Sequence, residues 1–317
     1  MGVKTKSDAN TNNTLPSAYV GVTWAATNGA HVINMSWGSY GYSQTNYNVI
    51  VQAKSLGVIL IAGAGNNARV NAFYPAAYGE GMTNQGWEMY DRNLVVAVAS
   101  LDANNDISDW GTNIFGVPLG SNNGPWVDIS AYGTSIISSV ASSSGGNPVN
   151  DQYASFNGTS MASPIVAGVA GMMRSYNMNA SADDIINCLR ATANPDIYDN
   201  ILHPNNTLGL LGSGRVDAEA AIKCMGVSCS DNPIAVIFRS SETICPGGSV
   251  TLTANQGTSY SWSTGATTQS ITVTTPGPYS VTVTFPGACT ASTTFDLQLA
   301  DTQAHIIITE NSGLNAN

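Results

Sequence analysis

Charge is scarce in this chain. Asp, Glu, Lys and Arg make up 9% of its 317 residues, against about a quarter in an ordinary soluble domain. Asn, Ser, Thr and Gly take their place, a composition that suits a secreted protein with a surface of hydroxyls and amides. Basic residues are the scarcer sign, 10 Lys and Arg against 20 Asp and Glu, for a net charge of −10. No basic patch is there to neutralise phosphates, so no nucleic-acid partner is expected. No apolar run approaches ~18 residues, which argues against a transmembrane helix. The start, Met1 to Asp8, lacks the apolar core of a signal peptide. Histidine is limited to His31, His203 and His305, which bounds any imidazole chemistry. The five cysteines are sparse. Cys245 and Cys289 flank a β-rich segment and could pair across it in an extracellular setting. Cys188, Cys224 and Cys229 leave one odd thiol whatever their pairing. The alternative is five reduced thiols.

A hydrophobic content of 43% supplies a real core, and 317 residues suit two domains or slightly more. Apolar residues at helical spacing (Tyr19, Val22, Trp24, Ala25) predict a helix over 16–29, stopped at Asn28-Gly29. A buried strand follows from Val32 to Trp37, a helix over 45–55, and a second buried strand from Val58 to Ala62. Asn93 to Ser100 is another strand. Helices are expected from Ser160 to about Tyr176 and from Ala182 to Thr192, and Val216 to Cys224 is expected to close the domain. Short apolar strands alternating with helices indicate a parallel α/β sheet with right-handed crossovers. Near residue 230 the pattern changes. Val, Thr and Ser alternate over 235–299, with turns at Pro246-Gly247-Gly248, Gly265 and Pro276-Gly277-Pro278, as in an all-β sandwich. Trp262 lies between Cys245 and Cys289, as in many Ig-like folds.

Residues 158–164 read Gly158-Thr-Ser-Met-Ala-Ser-Pro164 and lead into an apolar stretch from Ile165 to Met173. A Ser in a tight Gly-Thr turn at the mouth of a buried helix has an exposed hydroxyl and a positive helix end beside it, which is what a nucleophile needs. Ile59-Leu-Ile-Ala-Gly-Ala-Gly-Asn66 is a buried strand that stops at small residues, with an Asn amide following. Read alone, Asn66 is a turn residue and His31-Val-Ile-Asn-Met-Ser-Trp-Gly38 an ordinary core strand.

Taken together, these motifs resemble the subtilisin-like serine peptidases, over about residues 16–224. The resemblance implies a subtilisin-like parallel sheet with helices on both faces. It makes Ser160 the nucleophile and Asn66 the oxyanion-hole donor beside the Ser160 backbone N–H. Ser36, Trp37 and Gly38 match the edge that pairs with an extended polypeptide substrate by β-augmentation. Gly63, Ala64 and Gly65 match one wall of the S1 pocket, and their small size is expected to leave room for a bulky P1 side chain. Tyr74-Pro75-Ala76, the segment from Val127 to Gly133, and the segment from Gly212 to Val216 resemble further landmarks in the expected order. Pro164 is expected within the first turn of its helix, where a missing N–H costs nothing. Ile165 departs from the family, which commonly has His there. Residues 235–299 resemble the Ig-like or PKD-like modules of bacterial surface and secreted proteins.

The family's catalytic Asp and His motifs, Asp-Thr/Ser-Gly and His-Gly-Thr-His, do not occur in this sequence. His31 precedes its strand while Ser36 to Gly38 follow it. About five residues at ~3.3 Å each place it roughly 17 Å away, on the opposite sheet edge. Met1-Gly2-Val3-Lys4 resembles the middle of a family strand, so Met1 is expected to be internal to a longer protein, with Asp and His upstream. The expected organisation is a partial peptidase domain over 1–228, a linker at 229–234, an Ig-like sandwich over 235–299, and a linker or start of a further module at 300–317. The expected activity is serine endopeptidase. The alternatives are a catalytically inactive cell-surface or adhesion protein that retains a peptide-binding groove, or a gene fragment. No cofactor is required. Ca²⁺ as a structural ion is conceivable, with a weak site near Ala76 to Tyr78. Attachment to the cell surface through the C-terminal modules, and a secreted or surface location, go with this reading.

Overall fold

A computed structural model of the chain describes residues 17–83, 86–89, 91–140, 152–199, 201–226, 233–285 and 289–300. The expectations about Met1 to Lys4, Cys229, most of the 229–234 linker, and the tail with Asp301 and His305 lie outside them.

The first unit is built on four parallel strands, β1 (Val32–Met35), β2 (Ile59–Gly63), β5 (Val96–Leu101) and β8 (Ile129–Tyr132), hydrogen-bonded in the order β1-β2-β5-β8. Three antiparallel hairpins attach to it: β3–β4 (Glu80–Thr83 and Gly86–Met89), β6–β7 (Asp109–Thr112 and Pro118–Gly120), and β9–β10 (Ile136–Val140 and Gln152–Phe156). The central strands are apolar without interruption because both of their faces are covered. Leu60, Ala62, Ala97 and Ala99 face one core, with Val22 and Ala26 of helix α1 (Ala18–Thr27) and Ile50 and Ala53 of α2 (Gln44–Ser55). Ile59, Ile61, Val96 and Val98 face a second core. There they meet Ala162, Val166, Val169, Ala170 and Met173 of α3 (Thr159–Tyr176), along with α4 (Ala182–Ala191) and α5 (Ala218–Cys224). Period-2 alternation thus feeds two cores from one strand. Side-chain caps set the helix starts. Ser43 accepts from Asn46 N–H, Ser181 and Asp184 form a capping box, and Asp217 accepts from Ala220 N–H.

Among the described residues, β1 is the edge of this sheet. Its free side opens on a groove of about 820 Å³ between the strand, α1 and Ala167 of α3, which runs from His31 to Trp37. His31 is exposed at the start of β1, and its carbonyl accepts from Ile59 N–H. Ser36 lies past the strand's other end.

The second unit is a two-sheet β-sandwich. One sheet is β11-β13-β15 (Ile237–Arg239, Val250–Ala254, Ser270–Val273). The other is β12-β17-β16-β14 (Thr243–Ile244, Thr290–Leu299, Gly277–Thr284, Ser259–Trp262). Between them lie Leu252, Trp262, Val281, Val283, Phe285 and Leu297. The two units are in direct contact. Along residues 234–238 the side chains alternate: Ile234, Val236 and Phe238 pack into the α3–α4–α5 core, while Ala235 and Ile237 belong to the sandwich core. Buried Asn255 clamps this crossing. Its Nδ2 donates to the carbonyls of Cys224 and Ile234, and its Oδ1 accepts from Val236 N–H.

The disulfide expected across the sandwich does not form. Cys188 of α4 pairs with Cys224 of α5, 36 residues on. Cys289 is disulfide-bonded, and Cys245 is the exposed free thiol. The buried pair joins two helices that close one core, which spacing along the chain did not reveal.

Candidate active site

Ser160 is the second residue of α3, whose 18 residues direct a positive helix end toward its hydroxyl. Its N–H is among the four a helix leaves without an intrahelical partner. Its Oγ donates to the Ser36 carbonyl over a long 3.2 Å. In return Ser36 Oγ donates to the Ser160 carbonyl at 3.0 Å. Pro164 explains this second bond. It lies inside the helix, beyond the first turn where it was expected, and has no N–H to offer the carbonyl four residues back. Ser36 takes that place and ties the end of β1 to the serine turn. Ser36 Oγ also meets Ser163 Oγ at 3.1 Å and accepts from Asn34 Nδ2 at 2.8 Å.

Asn66 follows β2 and Gly63-Ala64-Gly65. Its Oδ1 accepts twice from one residue, from Thr159 N–H at 2.9 Å and Thr159 Oγ1 at 3.0 Å. Thr159 Oγ1 in turn accepts from Gly65 N–H at 3.0 Å. With its oxygen occupied, the amide presents Nδ2 toward the serine turn, 3.4 Å from where a Gly158 Cβ would stand. The network therefore fixes which end of the amide is which. Thr159 is 2% exposed and serves as a second-layer clamp that sequence reading missed. Its place beside the nucleophile was the available signal.

Asn122, fully buried, is another residue the sequence did not single out. Its Nδ2 donates to the Ala64 carbonyl, and its Oδ1 accepts from Asn67 and Arg69 N–H, so it shapes the loop after Asn66. Nothing near it in sequence announces this, because its partners lie more than 50 residues away.

Ser36, Trp37 and Gly38 follow β1, and Gly63, Ala64 and Gly65 close and follow β2, the neighbouring strand. Trp37 turns its ring edge-on to Tyr19 of α1 at 4.9 Å. The small wall residues are closely packed on the side a Cβ would occupy: on Gly65 it would stand 2.5 Å from Asn122 Nδ2. A Cβ on Gly38 would stand 2.4 Å from Phe73 Cε1, and one on Gly65 3.0 Å from Phe73 Cγ. Gly63 is equally tight, 2.9 Å from Thr159 Oγ1. A side chain at any of the three glycines would run into packed neighbours.

Among the described residues, neither a carboxylate nor an imidazole is hydrogen-bonded to Ser160. The pair His203 Nδ1 to Asp106 Oδ1, at 3.3 Å, joins two loops and bonds to neither Ser160 nor Asn66. Ala76 to Gly79 form a buried 3₁₀ turn without a carboxylate. No group of three or more His, Cys, Asp or Glu gathers among the described residues to hold a metal. No step below uses a metal ion.

Comparisons with known proteins bear on the family and the fold. Over 203 residues the chain is 36% identical to alkaline elastase YaB of a Bacillus strain, covering 64% of this chain and 43% of that protein. It is 33% identical over 201 residues to the halolysin-like extracellular serine protease Nep of Natrialba magadii, covering 63% of this chain and 30% of that one. The chain thus spans less than half the length of either relative. Its fold is similar to the prenylagaramide maturation protease PagA, with a TM-score of 0.50 and 23% identity over 69% of this chain and 70% of that structure. The profile of the subtilase family matches residues 1–214. The chain belongs to the subtilase family, and its first unit has the subtilisin-like parallel sheet with helices on both faces.

Proposed function

We propose that this chain carries the nucleophile half of a serine endopeptidase. Ser160 Oγ attacks the scissile carbonyl of a polypeptide and forms an acyl-enzyme, which water then hydrolyses. Asn66 Nδ2 and the Ser160 N–H receive the oxyanion. The substrate lies extended between the Ser36–Gly38 and Gly63–Gly65 segments and is held by main-chain hydrogen bonds. The observation that carries this reading is the clamp of Thr159 on Asn66, which orients a neutral donor toward the serine turn before any substrate arrives. A proton still has to leave Ser160 Oγ, and a His–Asp pair supplied by protein outside these residues accepts it. The open edge of β1, which ends beside Ser36, is where a strand bearing such groups would enter. The reading includes a secreted or surface location, in line with the extracellular Natrialba relative, and surface attachment through the sandwich.

Labelling with a fluorophosphonate probe, with Ser160→Ala as control, tests it. The chain alone is expected to label at background rate. The same chain preceded by its upstream reading frame is expected to label at Ser160 at least ~10³-fold faster, the scale on which triad members act. Rapid Ser160-dependent labelling of the chain alone would place the base within these residues. An extended protein that stays unlabelled would favour the second reading, an inactive surface protein that keeps the groove. What favours that second reading is that, among the described residues, no imidazole is hydrogen-bonded to Ser160.

A further inference from the structure

A cavity lies between the two units, where the turn before β5 and the end of α4 meet β11. It measures about 170 Å³, and Arg92, Asn187, Arg190, Ser213, Arg239 and Glu242 are among the residues that line it. A chain with only 10 basic residues and a net charge of −10 places three arginines on this one cavity. Arg190 is the buried member and is committed to the fold: its guanidinium meets Asp128 Oδ1, Asn93 Oδ1 and the Arg92 carbonyl. The other two are not so committed. Arg92, from the first unit, has a side chain 41% exposed, and its Nε lies 3.7 Å from Asp128 Oδ1, beyond hydrogen-bond reach. Among the described residues its guanidinium donates no hydrogen bond. Arg239, from the sandwich, is held in place rather than used up. Its Nε donates to Glu242 Oε2 at 2.7 Å, and its guanidinium carbon lies 4.6 Å from the centre of the Phe295 ring. That leaves Nη2 without an acceptor among the described residues, and Nη1 with only a 3.5 Å contact to the Ile237 carbonyl. The side chains of Asn187 and Ser213 likewise donate no hydrogen bond among the described residues. Two carboxylates pair with these arginines, Asp128 and Glu242, and both are already engaged, so one positive charge is left over.

We propose that this cavity binds a tetrahedral oxyanion, phosphate or sulfate, gripped between Arg92 of the first unit and Arg239 of the second. Guanidinium groups with free N–H edges are the side chains best matched to such oxygens. Donors approach from both units, and Asn187 of α4 and Ser213 of the turn after Gly212 add an amide and a hydroxyl. A planar carboxylate presents two oxygens on one edge, whereas a tetrahedral anion presents four, enough for donors that converge from several sides. The volume lies below the ~300 Å³ at which pockets for ordinary organic ligands begin, which suits a small inorganic ion. The bound anion ties the units across their junction, so it stabilises the folded chain in proportion to its occupancy. The site is independent of the serine chemistry.

The test is titration of the full chain with inorganic phosphate, at constant ionic strength and at a slightly alkaline pH where phosphate is dianionic, followed by phosphorus NMR linewidth. Saturable binding of one phosphate per chain is expected, with a dissociation constant of about 1 mM. Sulfate is expected to displace it, and chloride and acetate are not. Arg92→Gln and Arg239→Gln are each expected to weaken binding at least ~10-fold, the loss that goes with one charged hydrogen bond. Lys223→Gln, which removes a positive charge that does not line the cavity, is expected to bind as the native chain does. Should Arg239→Gln fail to fold, Arg92→Gln decides, because no hydrogen bond ties that guanidinium to the fold. Absence of saturable binding overturns the proposal. So does binding that survives both arginine variants, binding that Lys223→Gln weakens as much as they do, or acetate that displaces phosphate as well as sulfate does.

Discussion

The hydroxyl of Ser36 stands where the amide hydrogen of Pro164 would have been: Ser36 Oγ reaches the Ser160 carbonyl at 3.0 Å, the acceptor that a helical residue 164 would otherwise engage. A proline inside a helix is ordinarily a defect. Here it frees a carbonyl that ties the serine turn to the end of β1. Ser36→Ala should cost about 1–2 kcal/mol, because it leaves that carbonyl without a partner. In a Pro164→Ala background the helix supplies its own donor and the cost should shrink. A double-mutant cycle by urea unfolding should then show coupling of about 1 kcal/mol; zero coupling would mean that the two residues do not substitute for one another.

Asp128 holds the first unit together by charge. It is 4% exposed. Its Oδ2 accepts from Ala97 N–H at 2.7 Å, and its Oδ1 lies 2.8 Å from Arg190 of α4. Asp128→Ala removes the counter-charge of the Arg190 guanidinium, which keeps Asn93 Oδ1 and the Arg92 carbonyl, and leaves the Ala97 amide without its acceptor, so a loss of about 3 kcal/mol is expected. Asp128→Asn, which keeps an acceptor, should lose less. Unfolding midpoints of the two variants that came out equal would contradict this.

The cysteines give a chemical prediction. Alkylation of the native chain at neutral pH should mark Cys245 and spare Cys188, Cys224 and Cys289 until reductant is added, as read by peptide mapping. Replacing Cys188 and Cys224 together by Ala should cost about 2–4 kcal/mol, measured by urea unfolding. Native protein in which Cys188 is alkylated without reductant would exclude the bond.

Alkaline pH should unfold the first unit through its tyrosines. Burial, more than the backbone bonds that oppose it, pushes the Tyr198 hydroxyl from its ordinary value of 10.0 up to about 12. Burial also raises Tyr74 and Tyr78. A raised value means that the folded state holds its protons more tightly than the unfolded chain does. The stabilisation is therefore complete below about pH 10 and is lost as pH rises through about 12. Urea midpoints followed from pH 9 upward should hold steady and then fall over that window (by a smaller step in Tyr198→Phe). A midpoint that does not fall would refute the assignment.

The parts legible in sequence were those with local signatures. β2 and β5 announced themselves as short apolar runs, α3 as a long apolar stretch after a tight turn, and Ser160 and Asn66 as members of compact motifs. What the sequence hid was made by pairs distant along the chain. Asn122 acts on Ala64, Asn67 and Arg69 from another loop, and Cys188 meets Cys224 only because α4 and α5 pack together. The packing of Thr159 and Asn122 against Gly63 and Gly65 was likewise hidden, because it joins residues far apart in sequence. Pro164 was placed a turn too early because the carbonyl's substitute donor, Ser36, comes from a different element.

The alternation of Ile234, Val236 and Phe238 against Ala235 and Ile237 makes one short ribbon the outer skin of two interiors. Neither the peptidase-like unit nor the sandwich can open there without wetting the other. Damage to one should therefore be felt by both: the two are expected to melt together, and a nick in a loop of the sandwich to weaken the helices behind the serine.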